Sequence, residues 1–428
     1  MRDLATRLRD VVRRERPAGA QAPPVRELTY VPDPDPAPLP GQAAVALGGR
    51  ALDPAGACII VERVHEADRS HGRKRIETCA PEASAPLHLF DPRAAAQPDW
   101  WRRVVFFDIE TTGLSGGAGT LAFLAGCGWF DASGAFVVRQ FFLAGPAGER
   151  AMLDALGAIF DDASLIVTYN GRTFDVPFME TRWAFHRSAA PTDDLAHFDM
   201  LPPARRLWSH REIESPEHDG CSLSALERRV LGFHRLDDVP GFEIPARYFQ
   251  FLRTGDPSLV SGVLDHNRHD LVSLAVVMSH ALWLAQEGPE ACREAVERLA
   301  LGRIYERADD CARAQRAYEL AERTGDAEVR RHALARLALL HRRAERHADA
   351  AAAWQGVLDL VPRGRRTLST LERRAVEALA IHHEHRAKDL TSARRFAEAL
   401  GASSTGRQRQ ETDRRLQRLA RKMEGKLI

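Results

Sequence analysis

The chain has 428 residues, of which 44% are hydrophobic and 28% charged, which is enough material for roughly two to three globular domains. No apolar run approaches the ~18–20 residues that cross a bilayer, which excludes an integral membrane protein. The net charge of +1 hides an asymmetry, because residues 100–285 carry 16 basic and 23 acidic side chains and residues 286–428 carry 30 and 22. A polyanion could approach the acidic middle only with bound cations, so the basic C-terminal third is its better electrostatic partner.

The N-terminal part of the chain predicts little packed structure. The runs PAGAQAPP and VPDPDPAPLP are too rich in proline for a helix or a central strand, so we expect a disordered arm over 1–45. A strand at 57–64 and a connector at 83–99 follow in a segment, 46–99, that we expect to pair with an edge of the main domain. No signal peptide is visible, and six cysteines without a CxxC pair fit a reducing cytoplasm, where we expect the protein to reside.

Residues 100–286 predict an α/β domain, a mixed sheet with flanking helices. Strands are predicted at 104–110, 121–130, 135–144 and 164–170, with a hairpin turn at 131–134. Helices are predicted at 148–160, 173–186, 196–208, 222–231, 245–254 and 258–286. Thr173 is the expected N-cap of its helix.

After residue 286, the sequence predicts amphipathic helices with an internal repeat of about 36 residues. The repeat positions are Gly302, Tyr305, Ala314, Tyr318, Ala321 and then Ala338, His341, Ala350, Trp354. This spacing resembles a tetratricopeptide-like array and predicts an all-α repeat domain over 287–402, with an ordinary helical bundle as the alternative. The basic stretch 403–428 is expected to form a capping helix or tail.

Two carboxylates end the strand VVFFDIE. Asp108 and Glu110 are two residues apart, so both side chains lie on the same face of the strand. Neighbouring carboxylates beside apolar residues repel each other unless a cation joins them, and a divalent metal is the simplest cation. The alternative is a solvated strand end.

Two further predicted elements carry residues of the types that a metal site uses. Asn170 ends the 164–170 strand, and Asp175 lies on the first turn of the next helix, from where its carboxylate could face the 104–110 strand. On the last helix of the domain, His266 and Asp270 are four residues apart and therefore share one helical face. A histidine at that spacing can deprotonate a water molecule held by a metal that the aspartate ligates.

This order of motifs resembles the DEDD superfamily of ribonuclease H-like nucleases. The phrases FFDIETTGLSGG, YNGRTFDVPF, CSLSALERRVLG and HNRHDLVSL are most similar to the YprB-type ribonuclease H-like proteins, in which tetratricopeptide-like helices also follow. The resemblance covers about 100–285 and implies a ribonuclease H-like fold. It also implies a 3′→5′ exonuclease that hydrolyses nucleic acid with two Mg²⁺ or Mn²⁺ ions about 3.5–4 Å apart.

The resemblance also implies roles for individual residues. The metal ligands would be Asp108, Glu110, Asp175 and Asp270, with His266 as general base, whereas histidine-type members usually place the histidine five residues before the last aspartate. The substrate contacts would come from Thr111, Thr112, Gly113 and Asn170. Asp199 is interpreted as a helix cap or a support for the site, and Asp237, Asp238 and Glu243 as borders of the cleft.

Two other functions stay open. The same fold could carry a structure-selective endonuclease, or the chain could be a scaffold that binds nucleic acid or protein through its helical repeats. The presence of all five site residues favours the enzyme. We expect nucleic acid, DNA or RNA, as the substrate and a protein partner on the repeats.

Overall fold

A computed structural model describes residues 40–113, 119–209, 220–361, 367–402 and 406–424. Most of the arm predicted at 1–45 lies outside these residues. Its last part is helical, contrary to the prediction, because Ala43 and Ala44 of helix α1 (Pro40–Ala46) are buried in the apolar cluster of the sheet.

Seven strands form one mixed sheet in the order β1-β2-β7-β6-β5-β8-β9. Their bounds are β1 Arg50–Ala51, β2 Cys58–His65, β5 Val104–Thr111, β6 Ala122–Phe130, β7 Phe136–Leu143, β8 Leu165–Thr168 and β9 His197–Asp199. A separate hairpin consists of β3 Ser70–His71 and β4 Lys74–Arg75. Strands β5, β8 and β9 run parallel, and the other neighbours are antiparallel. The predicted strands are confirmed, and the one predicted at 57–64 pairs with β7.

Helices cover the sheet and then continue alone. Those of the sheet domain are α2 Pro92–Ala95, α3 Glu149–Asp161, α4 Asp175–Phe185, α5 Leu201–Trp208, α6 Leu223–Leu226, α7 Ile244–Thr254 and α8 Ser258–Glu287. The all-helical region that follows comprises α9 Ala295–Arg307, α10 Cys311–Thr324, α11 Ala327–Arg343, α12 His347–Asp359, α13 Thr370–His382, α14 Leu390–Ala402 and α15 Gly406–Glu424. Five-residue π-helical turns extend α6 and α13.

Two local predictions were wrong. The segment 196–208 begins as strand β9 and becomes helical only at Leu201, because residues 197–199 pair with β8. Helix α4 starts at Asp175, so Thr173 is not its N-cap. The hydroxyl of Thr173 instead donates to the carbonyl of Asn170 in the preceding turn.

Alternate residues of β5 enter different cores. Phe106 packs in one apolar cluster with α5, α8 and the helical region, whereas Phe107 and Ile109 pack in the other with α1, α3 and α7. Helix α8 crosses the sheet against β5, β6 and β7. The even-numbered side chains near the carboxyl end of β5 therefore face α8.

Each helix of the C-terminal region packs on the next. A side chain at Gly302 would lie 2.5 Å from the ring of Tyr318, so glycine is what lets α9 and α10 approach each other. The repeat positions Tyr305, Ala314 and Ala321 are fully buried. The tetratricopeptide-like assignment of these helix pairs stays a prediction.

Candidate active site

The two acids of β5 lie on the face that α8 covers. Asp108 is paired opposite Gly126 of β6, and a β-bulge follows directly after Glu110. Burial and the charges of Asp270, Asp175 and Glu110 raise the pKa of Asp108 well above its usual value. Burial and the charges of Asp270 and Asp175 raise the pKa of Glu110 to about 8. Both carboxyl groups therefore face other acids where their charged form is disfavoured.

A close helix–strand contact holds Asp108 in place. A Cβ atom at Gly126 would lie 2.3 Å from the Oδ1 atom of Asn267 on α8, so only glycine leaves room for that side chain. The Nδ2 group of Asn267 donates to Oδ2 of Asp108 at 2.8 Å, and its Oδ1 accepts from Nε2 of Gln140 at 2.8 Å. Both ends of the buried Asn267 amide are thus hydrogen-bonded, which fixes its Nδ2 group against the Asp108 carboxyl group.

The turn after β8 is built around Asp199. Its carboxylate accepts the backbone N–H groups of Asn170 at 2.8 Å, Arg172 at 3.2 Å and Leu201 at 3.0 Å. Asn170 has a φ of 68°, in the left-handed region that asparagine tolerates. Asp199 therefore both caps α5 and supports the turn that leads into Asp175.

Asp175 begins α4 with only 6% of its surface exposed. Burial raises its pKa to about 7, although backbone N–H groups of Asp175 and Ile109 oppose the rise. The effect of the Ile109 N–H group on this pKa indicates that the Asp175 carboxyl group lies close to β5. The charges of Asp199 and Asp270 raise the same pKa further.

Helix α8 brings His266 and Asp270 to the same place. Nε2 of His266 lies 3.6 Å from Oδ2 of Asp270. One ligand atom each from Glu110, His266 and Asp270 lie within 4.8 Å of one another, an arrangement that could hold a metal ion. The charge of Asp270 raises the pKa values of Asp108 and Asp175, so both carboxyl groups lie near these three residues.

Sequence reasoning missed Arg235, and it named Asp238 as a border of the cleft without its contact with His266. The guanidinium group of Arg235 is 6% exposed and forms a bidentate pair with Glu227 at 2.6 and 2.8 Å, a bond to Asp238 at 3.2 Å and a short bond to Asp270. Asp238 in turn binds Nδ1 of His266 at 2.8 Å. Although burial opposes it, Glu227 and Asp270 raise the pKa of Arg235. An arginine in an irregular segment carries no motif, so only the fold reveals Arg235 and the contact between Asp238 and His266.

The predicted substrate residues lie in turns beside these acids. The hydroxyl of Thr111 donates to the carbonyl of Gly113, and the hydroxyl oxygen of Thr112 accepts the N–H group of Leu121. Asn170 is exposed, whereas the two threonine hydroxyls close the first turn.

The donor set fits a hard divalent cation. Carboxylate oxygens and one imidazole are ligands that Mg²⁺ and Mn²⁺ accept. The raised pKa values of Asp108, Glu110 and Asp175 have a shared cause, burial next to like charges, which a bound cation would reverse. Arg235 offsets part of that charge through its bond to Asp270, its contact with His266 at 3.4 Å and its charge, which opposes the rise in the pKa of Glu110.

Comparisons with known proteins agree with this geometry. Residues 105–282 match the family model described as RNase_H superfamily. The chain is 33% identical over 318 residues to the "Uncharacterized protein YprB" of Bacillus subtilis (strain 168), an alignment that covers 74% of this chain and 73% of that protein. A solved family B DNA polymerase from the hyperthermophilic archaeon Pyrobaculum calidifontis aligns with 16% identity and a TM-score of 0.31, over 56% of this chain and 29% of the polymerase. No helix in the described part of the chain is long and apolar enough to span a membrane.

Proposed function

Because the chain belongs to the YprB family, within the RNase H superfamily, we propose that it is a metal-dependent nuclease that hydrolyses phosphodiester bonds, acting as a 3′→5′ exonuclease. One observation carries the proposal: Glu110, His266 and Asp270 could hold a metal ion, and burial and the charge of Asp270 raise the pKa values of Asp108, Glu110 and Asp175 beside them. Side chains arranged in this way are costly to the fold and are typical of a metal centre.

The acids and the histidine have different roles in the proposed reaction. When bound, two Mg²⁺ or Mn²⁺ ions would activate water and stabilise the leaving oxygen. Asp108, Glu110, Asp175 and Asp270 would hold them, with Asn267 fixing the Asp108 oxygen that it binds. His266 would take the proton of the attacking water at Nε2.

The segment after α6 supports this role of His266. Asp238 lies 2.8 Å from Nδ1 of His266, where it would accept the Nδ1 proton and leave Nε2 as the basic nitrogen on the Asp270 side. Arg235 fixes Asp238 and Asp270 relative to each other. The turns at Thr111–Gly113 and Asn170 would contact the terminal nucleotide, and the helical region would bind a protein partner.

The test is a nuclease assay on the full chain. End-labelled single- and double-stranded DNA and RNA are incubated with Mg²⁺ or Mn²⁺, and EDTA serves as the metal-free control. A ladder of single-nucleotide losses from the 3′ end is expected. Internal cuts would instead identify a structure-selective endonuclease, and binding without turnover would identify a scaffold.

Two substitutions check the site itself. Asp108→Ala should abolish turnover and leave the thermal unfolding temperature unchanged or higher, because it removes a buried carboxyl group among like charges. Asp265→Ala is the matched control, because Asp265 lies on α8 with its side chain 60% exposed and pairs with Arg268. Full turnover by Asp108→Ala would contradict the assignment.

A further inference from the structure

A second cluster of charged side chains lies where the sheet domain meets the helical region, and most of its charge is positive. Three arginines line one cavity of about 160 Å³: Arg73 from the turn of the β3–β4 hairpin, Arg229 from the π-helical turn after α6, and Arg293 from the residues just before α9. The rest of its lining is Trp208, Val230, His280, Glu294 and Glu297. We call this space the arginine cavity.

The three guanidinium groups have no carboxylate partner among the residues that the structure describes. Arg73 and Arg229 each donate one hydrogen bond to a backbone carbonyl, that of Val230 at 3.1 Å and that of Trp208 at 2.5 Å. Each guanidinium group has five N–H donors, so most of them stay available. Because like charges around one cavity repel each other, an anion bound between them would stabilise the arrangement.

The two glutamates of the lining are bound to other groups. Nε1 of Trp208 donates to Oε1 of Glu297 at 3.1 Å, and the backbone N–H groups of Arg293 and Glu294 donate to its Oε2 at 3.0 and 3.3 Å. The side chain of Glu294 accepts the backbone N–H group of Glu297 in the same capping box. Both carboxylates therefore serve the first turn of α9 rather than the arginines.

His280 on α8 shows which charge dominates at the wall of the cavity. Burial lowers its pKa to about 4, and the charges of Lys74, Arg293 and Arg73 act in the same direction. All three of these charges are positive. The electrostatic field at this wall is therefore suited to an anion, although two glutamates also line the cavity.

Close packing holds Arg73 in place. Gly72 has a φ of 58°, and a Cβ atom there would lie 2.3 Å from the carbonyl oxygen of Leu231, so glycine lets the hairpin turn lie directly on the π-helical turn. The backbone N–H group of Arg73 donates to the same carbonyl at 2.9 Å. A Cβ atom at Gly232 would lie 3.1 Å from Cζ of Arg73, so the guanidinium group rests on that backbone. The arginine is thus positioned before any ligand binds.

The π-helical turn Glu227–Leu231 connects the cavity to the acids. Glu227 pairs with Arg235, which also binds Asp270, whereas Arg229 lines the cavity two residues later. Along α8, His280 follows Asp270 by ten residues, which is about 15 Å of helix. The cavity is therefore separate from the acidic cluster, at a distance that one extended ligand could span.

We infer that the arginine cavity binds a phosphate group. Guanidinium groups bind phosphate oxygens through paired hydrogen bonds, and three of them without carboxylate partners supply both the donors and the charge. The volume of about 160 Å³ holds several water molecules but is below the roughly 300–1,000 Å³ of pockets that enclose a drug-sized ligand. The phosphate group therefore enters the cavity, and the rest of a larger ligand stays outside.

This phosphate group has two possible sources, a nucleic acid strand that passes the cavity or a free phosphate ion. Neither source requires the four acids to bind metal, so the inference goes beyond the proposed function. Two binding measurements in EDTA separate the sources, because no metal ion then links phosphate to the acids. Calorimetric titration with inorganic phosphate measures the free ion, and anisotropy of a labelled single-stranded oligonucleotide at several salt concentrations measures the strand.

Arg293→Gln is the main variant, because the Arg293 guanidinium group has no hydrogen-bond partner in the described part of the chain. Its thermal unfolding temperature should be unchanged or higher, since a charge that repels its neighbours is removed. Arg253→Gln is the matched control. Arg253 is exposed on α7, whose buried side chains belong to a different apolar cluster from that of Trp208.

If a strand occupies the cavity, Arg293→Gln should bind the oligonucleotide about tenfold more weakly and should lower the slope of log affinity against log salt by about 0.7. If a free phosphate ion occupies it, the variant should bind inorganic phosphate about tenfold more weakly and keep its affinity for the oligonucleotide. Arg229→Gln should act in the same direction as Arg293→Gln in either case.

Wild-type affinity of both variants for both ligands would overturn the inference. An equal loss in Arg253→Gln would also overturn it, because the effect would then come from net charge. The proposed function is tested separately: phosphate binding that depends on Arg293, without cleavage of any nucleic acid in Mn²⁺, would support the arginine cavity and contradict the nuclease.

Discussion

Glu110 is a carboxyl group that the metal-free fold stabilises in its protonated form. Its folded pKa of about 8 lies above the usual glutamate value of 4.5, so the folded chain binds more protons than the unfolded chain between these values. The stability that this proton contributes is present below pH 4.5 and is lost as the pH rises towards about 8. A bound divalent cation should remove the loss.

Glu110→Gln should therefore flatten the pH dependence of unfolding. In EDTA near pH 8, the free energy of unfolding of the variant should exceed that of the wild type by on the order of 2 kcal/mol, since one pKa unit is about 1.4 kcal/mol and the proton is shared with neighbouring acids. In Mn²⁺ the order should reverse. Thermal unfolding in EDTA and in Mn²⁺ across this pH range measures both effects, with the exposed Glu82→Gln as control. Equal stabilisation of wild type and variant by Mn²⁺ would contradict a ligand role for Glu110.

Through its contact with Nδ1, we expect Asp238 to fix the tautomer of His266. Asp238→Asn should lower kcat about 10- to 100-fold and leave KM unchanged, because the imidazole loses the acceptor that fixes its tautomer. Asp237→Asn is the control, since Asp237 is exposed and asparagine tolerates its left-handed backbone. Steady-state kinetics on one oligonucleotide separate the two constants. A KM effect without a kcat effect would give Asp238 a binding role instead.

Among the elements, the contact of α8 with β6 depends on one missing side chain. Gly126→Ala would place a Cβ atom 2.3 Å from Oδ1 of Asn267 and 2.7 Å from Cδ1 of Leu271. The helix must shift, so we expect a loss of about 1–3 kcal/mol in the free energy of unfolding and a fall in kcat, because Asn267 also holds Asp108.

The control for this prediction is a glycine of the same domain that, unlike Gly126, has room for a side chain. Gly157 lies inside α3, where an added Cβ meets no atom within 4 Å, so Gly157→Ala should stabilise by up to about 1 kcal/mol. Chemical denaturation and nuclease assays on both variants measure the difference. A neutral Gly126→Ala would show that α8 can adjust without disturbing Asp108.

The elements also show what the sequence could predict. The acids of β5 follow from strand periodicity, and the pairing of β5 with β8 explains why Asp175 reaches them. Strand β9 could not be recognised, since three residues before a helix carry too little pattern and are held as a strand by β8. Arg235 was equally hidden, because its partners Glu227 and Asp270 meet only after the chain has folded.

In the molecule as a whole, the charge asymmetry divides the chain into an acidic sheet domain and a basic helical region. The two share one apolar cluster, in which Trp208 of α5 and Leu299 of α9 are both buried. Nε1 of Trp208 donates to Glu297 at 3.1 Å across the same contact. The basic helices are thus held against the sheet domain, so their charge acts at a fixed place.

The basic residues of α15 should raise the affinity for nucleic acid through this arrangement. Arg409 and Arg414 are exposed, so reversing them leaves the buried contacts of α15 in place. Arg409→Glu/Arg414→Glu should weaken binding of a single-stranded oligonucleotide, and should lower the slope of log affinity against log salt by about 1 for each phosphate contact that is lost. Since those contacts lie outside the acidic site, kcat at saturation should not change. Fluorescence anisotropy over a salt series measures the slope. The control Arg50→Glu/Arg93→Glu, which reverses two exposed arginines on β1 and α2 with the same change in charge, should leave it unaltered. If both reversals lower the slope equally, the effect comes from net charge alone and α15 is not a binding surface.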